Sequence, residues 1–284
     1  MVIGQGFLGN YIVNECLQNE IPVIGTHYNI NFNDKLKMDI QDINSIFDCV
    51  TKIQPDLIIN CASNIKIDYL EKNISCAFSI NANGAKNVAT VANKHGIRLA
   101  HISTDSVFDG KRGMYSEEDT PNPINVYAKS KLLGEQLVTE NSNNHVIIRT
   151  NFYGMNQNKD FLFNWVLKNL QHNTPITGFT DVIFTPLEIS NLSKMILEIS
   201  NLEYDGIIHL ASDEVLSKYE FVLRIATILG FDCDLIKKGS IDENVGFIAK
   251  RPKNTSLSNK KSKKLLETKI ISLTDWLHDI KKIN

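Results

Sequence analysis

Tyr127 and Lys131 are the two residues whose chemical types and spacing first suggest a reaction. They are four positions apart, so on a helix both side chains lie on one face and can reach the same bound ligand. A phenol has a pKa of about 10 and exchanges protons poorly at neutral pH, but an adjacent ammonium stabilises the phenolate and lowers that pKa. The pair therefore predicts proton exchange with a substrate oxygen. The spacing on its own also fits a tyrosine packed beneath a surface lysine.

A run of hydroxyl and carboxyl side chains, Ser103-Thr104-Asp105-Ser106, directly follows an apolar stretch at residues 99–102. Such a stretch predicts a buried strand, and open α/β sheets bind ligands beyond the carboxyl ends of their strands. Thr104 would then hydrogen-bond a substrate oxygen while Tyr127 exchanges a proton with it. A nicotinamide ring would transfer a hydride at the same carbon.

A glycine motif, Gly4-Gln5-Gly6-Phe7-Leu8-Gly9, lies between the first predicted strand and the first predicted helix. In a G-x-G-x-x-G loop the first glycine makes the tight turn, and the second lets backbone N–H groups approach a pyrophosphate. The third glycine lets the helix pack on the sheet, while the helix N-terminus attracts negative charge. The motif predicts a dinucleotide site.

The end of the second predicted strand bears on which dinucleotide binds. An acidic residue at this place normally binds the ribose 2′-hydroxyl and favours NAD. Residues 25–29 contain neither Asp nor Glu, and no Arg that could clamp a 2′-phosphate. Thr26 and His27 can donate hydrogen bonds to such a phosphate. We therefore expect NADP(H) to be slightly preferred over NAD(H).

Alternating strands and helices position these residues. Predicted strands cover residues 2–4, 21–26, 57–61, 99–103 and 146–149, and predicted helices cover 8–18, 43–53, 77–95 and 123–138. In the last helix Asn122 is the expected N-cap and Pro123 suits the first turn. Short apolar strands alternating with helices predict an α/β fold, a Rossmann-like doubly wound parallel sheet.

The regular alternation of predicted strands and helices becomes less clear after Gly154. Helices are predicted at 161–170, 187–199, 218–229 and 272–280, and a strand at 207–210. We expect residues 1–154 to form the dinucleotide-binding core, and 155–284 to form mainly a smaller substrate-binding lobe. Segments at about 185–210 are expected to return to the core. Asp68 and Glu71, on a further predicted helix, could bind a cation or a partner, but we expect them to lie on a solvated face.

Composition narrows the classes of protein. The 284 residues are 43% hydrophobic and 22% charged with a formal charge of −2, so no basic field would attract nucleic acid or a membrane surface. No apolar run approaches the roughly 20 residues that span a bilayer, and the first residues do not resemble a signal peptide. The five cysteines include no C-x-x-C pair, and the histidines show no metal-ligand spacing. We expect a cytoplasmic globular protein without a metal site.

Beyond these patterns, the chain resembles an extended short-chain dehydrogenase/reductase of the dTDP-4-dehydrorhamnose reductase family. The resemblance runs nearly end to end. It rests on the segments at residues 55–62, 80–85, 103–110, 126–135, 185–188, 206–210 and 251–254. The most specific of these is Ser103-Thr104-Asp105-Ser106-Val107-Phe108-Asp109-Gly110.

The resemblance implies a role for each matching residue. It implies that Thr104, Tyr127 and Lys131 are the catalytic triad, and that a nucleoside-diphosphate-sugar site lies between the core and the C-terminal lobe. The implied substrate-binding residues are Thr104, Asp105, Ser106, Tyr127, Phe152 and Arg251. Asp39 and Ile40 are implied to lie near the adenine, and Cys61, Ala62 and Ser63 near the ribose and pyrophosphate. The segment Arg149-Thr150-Asn151-Phe152 is implied to line the nicotinamide end.

Two departures from the family pattern fall beside the implied sugar site. Ser106 stands where the family usually has Tyr, and residues 149–154 are one residue shorter than usual and lack a Trp. The family's own sugar substrate is therefore not carried over to this chain.

The expected function is NAD(P)H-dependent reduction of a 4-keto (deoxy)sugar on a nucleoside diphosphate. One alternative is a sugar-nucleotide epimerase. A dehydratase needs two acidic residues after the threonine at the strand end, and here Ser106 takes the place of the second acid after Asp105. This argues against dehydration and leaves epimerisation open. The other alternative is a non-catalytic NADP-binding role like that of the methionine adenosyltransferase regulatory subunit. A homodimer is compatible with this superfamily.

Overall fold

The computed structural model describes residues 1–28, 36–155, 161–243 and 246–283. Within them the strands are β1 (Val2–Ile3), β2 (Gly25–His27), β3 (Leu36–Lys37), β4 (Leu57–Asn60), β5 (Arg98–Ile102), β6 (His145–Thr150), β7 (Phe152–Tyr153), β8 (Ile176–Phe179), β9 (Ile183–Phe184), β10 (Leu187–Glu188), β11 (Gly206–Leu210), β12 (Leu216–Ser217) and β13 (Ile236–Gly239). The helices are α1 (Phe7–Gln18), α2 (Ile43–Ile53), α3 (Ile67–Lys72), α4 (Ile74–Phe78), α5 (Gly84–Lys94), α6 (Val126–Asn141), α7 (Leu162–Gln171), α8 (Ile189–Asn201), α9 (Lys218–Leu229), α10 (Ser262–Leu265) and α11 (Leu273–Ile283).

A parallel sheet forms the centre of the molecule. Its seven strands in the described part of the chain have the order β11-β6-β5-β4-β1-β2-β3. Side chains along a strand alternate between the two faces, so Val146 and Ile148 of β6 pack on one side and Ile147 on the other. Helices α1 and α8 cover the first face, and α2, α5 and α6 cover the second. The predicted α/β Rossmann-like fold is confirmed.

A second apolar cluster lies outside this sheet. It combines residues of α7, α9 and α11 with residues of β8, β9, β12 and β13, including Phe163, Phe184 and Phe221. Of the segment between α7 and α9, helix α8 and strand β11 do not belong to this cluster. Helix α8 packs with α1, and β11 pairs in parallel with β6 at the edge of the main sheet.

Helix α6 begins three residues later than the sequence predicts. Its N-cap is Asn125, whose side-chain oxygen accepts a hydrogen bond from the Ala128 N–H at 2.9 Å. Asn122 instead donates its side-chain amide to Asp109 at 3.1 Å and its N–H to the Val107 carbonyl. The prediction of Asn122 as the cap is therefore wrong, because tertiary contacts hold that residue in the preceding loop.

Two other predicted elements differ in extent. The strand expected at 21–26 is confined to β2, and the long helix expected at 77–95 is broken into α4, a π-helical turn at Ser79–Asn83 and α5. A π turn inserts one residue into the helical repeat and often occurs at functional sites. Here the turn carries a buried asparagine toward the candidate site.

Candidate active site

The glycine loop joins β1 to α1 in a tight turn. Gly4 has a φ of +81°, and a Cβ built on it would lie 2.6 Å from the Cα and N of Ala62. A Cβ on Gly6 would meet no atom within 4 Å, so the start of α1 faces open space at this point. The first turn of α1 carries no acidic side chain, which leaves the positive end of the helix dipole available to an anion.

A cavity of about 1000 Å³ opens beyond this loop. The predicted cofactor residues that line it are Gly4, Gln5, Gly6, Thr26, His27, Asp39, Ile40, Cys61, Ala62 and Ser63. Residues that the sequence did not single out also line it, among them Met38, Asn64, Ile65, Lys66 and Tyr69. The volume lies at the upper end of the range usual for ligand pockets.

The remaining residues of the motif contact protein. Leu8 is buried in the apolar cluster beneath the sheet, and a Cβ on Gly9 would lie 2.4 Å from the Gly4 carbonyl oxygen. The Phe7 ring lies 5.9 Å from that of Phe152 and 4.5 Å from that of Phe161. The structure thus joins a predicted cofactor residue, Phe7, to a predicted substrate residue, Phe152.

At the end of β2, the two residues predicted to bind a 2′-phosphate, Thr26 and His27, contact other side chains of the protein. The His27 ring nitrogen Nε2 lies 2.8 Å from the Gln5 side-chain oxygen. Thr26 is buried, and its hydroxyl lies 4.0 Å from the Met38 sulfur. Asn29 lies outside the described residues. Asp39 accepts a hydrogen bond from the Gln41 N–H at 2.9 Å, which orders the turn that leads into α2.

Asn81, in the π turn, is a site residue that sequence reasoning missed. Its side-chain oxygen accepts hydrogen bonds from the Ser63 hydroxyl at 3.1 Å and the Asn64 N–H at 2.8 Å. Its amide donates to the Asn64 carbonyl and to the Ser130 hydroxyl, both at 3.0 Å. Asn81 therefore fixes the cavity wall after β4 to helix α6.

Asp105 organises the other end of the site, beyond β5. One carboxylate oxygen accepts hydrogen bonds from the Thr104 and Ser106 hydroxyls at 3.1 and 3.2 Å. The other accepts from the Asn151 amide at 2.9 Å and the Thr255 hydroxyl at 2.7 Å. A carboxylate offers about four lone-pair sites, so all of those of Asp105 are occupied by neighbouring side chains.

The three predicted catalytic residues meet at this end of the sheet. Thr104 hydrogen-bonds the Tyr127 phenol, and both side chains are buried. The Lys131 ammonium donates a hydrogen bond to the Ile102 carbonyl at 2.7 Å, at the last residue of β5. The thiol of Cys61, in the cavity wall, is close enough to interact electrostatically with Lys131. Cys61 therefore links Lys131 to the cavity wall, whereas the described residues that line the cavity include none of the triad itself.

Burial decides the protonation of the pair. It raises the pKa of Tyr127 to about 12, and the hydrogen bond with Thr104 only partly offsets this. It lowers the pKa of Lys131 to about 8, an effect that nearby Glu135 and Cys61 oppose. The net shift of the Tyr127 pKa is therefore upward and not toward neutral pH as the sequence predicts, because desolvation of the phenolate dominates. The phenol holds its proton at neutral pH.

Arg251 is held by an ion pair. Its guanidinium lies 3.0 Å from the Asp68 carboxylate and stacks over the Phe247 ring at 4.8 Å. Asp68 also accepts hydrogen bonds from the N–H groups of Ile248 and Ala249, at 3.2 and 3.0 Å. Helix α3 therefore anchors the loop that carries Arg251.

Glu71, on the same helix, accepts a hydrogen bond from the N–H of Val126, the first residue of α6, at 3.0 Å. The expectation of a solvated face is therefore wrong for both acidic residues of α3. Each carboxylate compensates backbone N–H groups of a neighbouring segment, which only the tertiary structure reveals.

In the described part of the chain, none of the helices has the length and apolar character needed to cross a membrane. The same residues contain no group of three or more His, Cys, Asp or Glu side chains arranged to hold a metal ion.

Comparison with known proteins gives close matches over nearly the whole chain. The RmlD substrate binding domain family matches residues 1–283. The chain is 30% identical to the probable low-salt glycan biosynthesis reductase Agl14 of Haloferax volcanii (89% of this chain, 86% of the relative). It is also 30% identical to a dTDP-4-dehydrorhamnose reductase of Aggregatibacter actinomycetemcomitans (90% of each chain).

Two further similarities bear on the cofactor and on the alternatives. The crystal structure of dTDP-4-dehydrorhamnose reductase from Bacillus anthracis in complex with NADP superposes with a TM-score of 0.87 at 30% identity, over 99% of this chain and 97% of that one. Methionine adenosyltransferase 2 subunit beta of Bos taurus is 28% identical over 89% of this chain and 77% of its own length.

Proposed function

The chain belongs to the RmlD substrate binding domain family, and we propose that it is an NAD(P)H-dependent reductase of a 4-keto sugar carried on a nucleoside diphosphate. The observation that carries this proposal is the meeting of Thr104, Tyr127 and Lys131 at the carboxyl end of β5, with Lys131 close to Cys61 in the wall of the cavity. Reductase relatives at 30% identity support the same reaction class.

The cavity fits a dinucleotide. A side chain at Gly4 would collide with Ala62, whereas the space over Gly6 is open and faces a helix N-terminus, as binding of a pyrophosphate requires. When bound, the cofactor supplies a hydride to the keto carbon. NADP(H) remains our preferred cofactor, since residues 25–28 contain no carboxylate and the Bacillus anthracis structure contains NADP.

The chain itself supplies the proton. Because burial raises the pKa of Tyr127 to about 12, the phenol is protonated at neutral pH and can donate to the alkoxide that develops on the substrate oxygen. Thr104 hydrogen-bonds the phenol and can hydrogen-bond the same substrate oxygen. Lys131 contributes positive charge beside the cavity and can bind the nicotinamide ribose.

The surroundings of Asp105 favour reduction over dehydration. A dehydratase needs carboxyl groups that can exchange protons with the sugar. The carboxylate of Asp105 is occupied by four donors, and a serine hydroxyl stands in the next position. We therefore assign Asp105 to holding Thr104, Ser106 and Asn151 in place.

For the sugar nucleotide we propose a site between residues 1–154 and the lobe formed mainly by 155–284. Asn151 and Phe152, which leave β6, would line it from the core. Thr255 reaches Asp105 from the C-terminal part of the chain. Arg251 lies on the loop held by Asp68, and binding of a substrate phosphate would require it to turn from that ion pair.

The deciding experiment measures NADPH and NADH oxidation with dTDP-, UDP-, GDP- and CDP-4-keto-6-deoxy sugars. Tyr127→Phe should abolish turnover and leave NADPH affinity nearly unchanged. Tyr204→Phe is the matched control, because its phenol bonds the Ile207 carbonyl on the far edge of the sheet. Sugar-dependent oxidation that survives Tyr127→Phe would contradict the assignment. Product formed without net consumption of cofactor would indicate an epimerase.

A non-catalytic role is the second candidate, favoured by the similarity to methionine adenosyltransferase 2 subunit beta. It predicts NADPH binding without turnover of any sugar nucleotide, together with co-purification of a catalytic partner. The same oxidation assay and a pull-down therefore separate the two candidates.

A further inference from the structure

A buried ion pair lies directly behind the catalytic triad. Arg149 of β6 donates from Nε to both carboxylate oxygens of Glu135 on α6, at 3.0 and 3.2 Å, and from Nη2 to one of them at 2.7 Å. Both side chains are at most 3% exposed. Such a pair contributes little net stability, because desolvation of the two charges offsets their attraction. Its presence therefore calls for another explanation.

The same carboxylate reaches the strand that carries Thr104. The Ser103 hydroxyl donates a hydrogen bond to Glu135. One helical turn earlier, the Lys131 ammonium donates to the carbonyl of Ile102, the residue before Ser103. Two successive turns of α6 are thus bonded to two successive residues of the chain immediately before Thr104.

We propose that Glu135 is a positioning residue that fixes α6 against β5 and β6, so that Tyr127 and Lys131 face Thr104, and that its carboxylate, one helical turn after Lys131, supplies the counter-charge of that ammonium. This inference rests on the proposed function of the same site. In the proposed site Glu135 touches neither substrate nor cofactor. It acts through Lys131 and Ser103.

The charges around Lys131 support the second part of the proposal. Glu135 acts on it from its own helix, Cys61 from the end of β4 and His101 from β5. Burial lowers the pKa of Lys131 to about 8, and Glu135 is the leading influence that opposes this. The positive charge of Arg149 lies just behind that carboxylate.

Loss of the carboxylate alone therefore acts twice on Lys131. Glu135→Gln removes the attraction and leaves the Arg149 guanidinium buried without its counter-charge. Both changes disfavour the ammonium, so Lys131 should lose its proton below pH 8, within the working range. A role limited to packing would not move this titration, since Gln has nearly the same size as Glu.

The first test follows the pH dependence of kcat/KM. In Glu135→Gln the alkaline limb should move to lower pH by about one unit or more, and kcat at pH 8 should fall by about fivefold or more, with little change in the KM for NADPH. Glu140→Gln is the matched control, since that residue is exposed on the last turn of the same helix. An unshifted limb in Glu135→Gln would overturn the proposal.

The second test does not depend on turnover. Lysine labelled with ¹³C at Cε reports the titration of Lys131 by NMR, with its resonance assigned from Lys131→Met. A midpoint that moves down in Glu135→Gln, but not in Glu140→Gln, supports the inference even if no sugar nucleotide is reduced. In that case only the proposed function fails. An unchanged midpoint refutes the inference whatever the activity.

A paired variant covers the possibility that Glu135→Gln does not fold. Glu135→Leu combined with Arg149→Met replaces the ion pair with apolar groups, an exchange that proteins often tolerate. It should fold, yet its Lys131 titration midpoint should lie below that of the wild type, because the counter-charge is gone. A wild-type midpoint and wild-type kcat in this double variant would also overturn the proposal.

Discussion

Gly6→Ala and Gly4→Ala add the same methyl group in very different surroundings and so separate binding from folding. At Gly6 the new Cβ would meet no protein atom within 4 Å, and the φ of −82° is ordinary. At Gly4 it would lie 2.6 Å from two backbone atoms of Ala62, at a φ of +81°. The first change should weaken cofactor binding, and the second should destabilise the protein.

The magnitudes follow from these surroundings. For Gly4→Ala, a left-handed conformation costs about 1–2 kcal/mol. Overlap with Ala62 adds about 1–3 kcal/mol, so the free energy of unfolding should fall by about 2–5 kcal/mol. Gly6→Ala should stay within about 0.5 kcal/mol of the wild type. If a pyrophosphate lies over Gly6, an overlap of about 1–3 kcal/mol weakens NADPH binding by roughly 5- to 150-fold.

Denaturant unfolding and fluorescence titration with NADPH measure the two effects separately. The expected pattern is a stable Gly6→Ala protein with poor affinity and a destabilised Gly4→Ala protein. Wild-type affinity in Gly6→Ala would refute the placement of the pyrophosphate over the start of α1. Wild-type stability in Gly4→Ala would refute the packing of Gly4 against Ala62.

Three further predictions follow from other parts of the structure. Burial, with Arg149 adding to it, lowers the pKa of His209 to about 3, so between about pH 6.5 and 3 the unfolded chain binds a proton that the folded one does not. Because of this residue, the free energy of unfolding should fall by about 2 kcal/mol between pH 7 and pH 5. Urea titrations should find a smaller fall in His209→Gln, and an equal fall in the variant would contradict the prediction. Asp105→Asn replaces one accepting carboxylate oxygen by an amide NH2, a donor that would face the donors of the neighbouring side chains. It should cost about 1–3 kcal/mol of stability and most of kcat while NADPH still binds, and full turnover would contradict the role of Asp105 as an organiser. Asp68→Ala should speed hydrogen exchange at the amides of Ile248 and Ala249 by about tenfold, and Asp68→Asn should speed it less. Unchanged exchange would contradict the conclusion that Asp68 anchors the loop that carries Arg251.

The parts of the site that are local in sequence could be predicted. The G-x-G-x-x-G loop can be recognised from the loop and the strand and helix beside it. The four-residue spacing of Tyr127 and Lys131 needs only a helix to place both side chains on one face. Thr104 could be placed because the carboxyl ends of parallel strands share one edge of the sheet. The α/β fold follows from the same alternation of strands and helices.

Contacts between distant segments could not be predicted. Thr255 bonds Asp105 across 150 positions, and Asp68 bonds Ala249 across 181. The spacing of these residues in the sequence does not indicate that either pair is in contact. The prediction of the N-cap of α6 was wrong for a related reason. Both Asn122 and Asn125 are residues that suit an N-cap, and only the hydrogen bond of Asn122 to the distant Asp109 decides between them.

The distribution of charge at the triad bears on the direction of proton transfer. A site that removes a proton from an alcohol at neutral pH benefits from a phenolate, which requires a lowered tyrosine pKa. Here burial and the nearby carboxylate of Asp105 both raise the pKa of Tyr127. The phenol is therefore held as a donor, while Glu135 supports the ammonium of Lys131 one turn away. A protonated phenol beside a supported ammonium suits reduction of a carbonyl, because both groups stabilise the negative charge that develops on its oxygen.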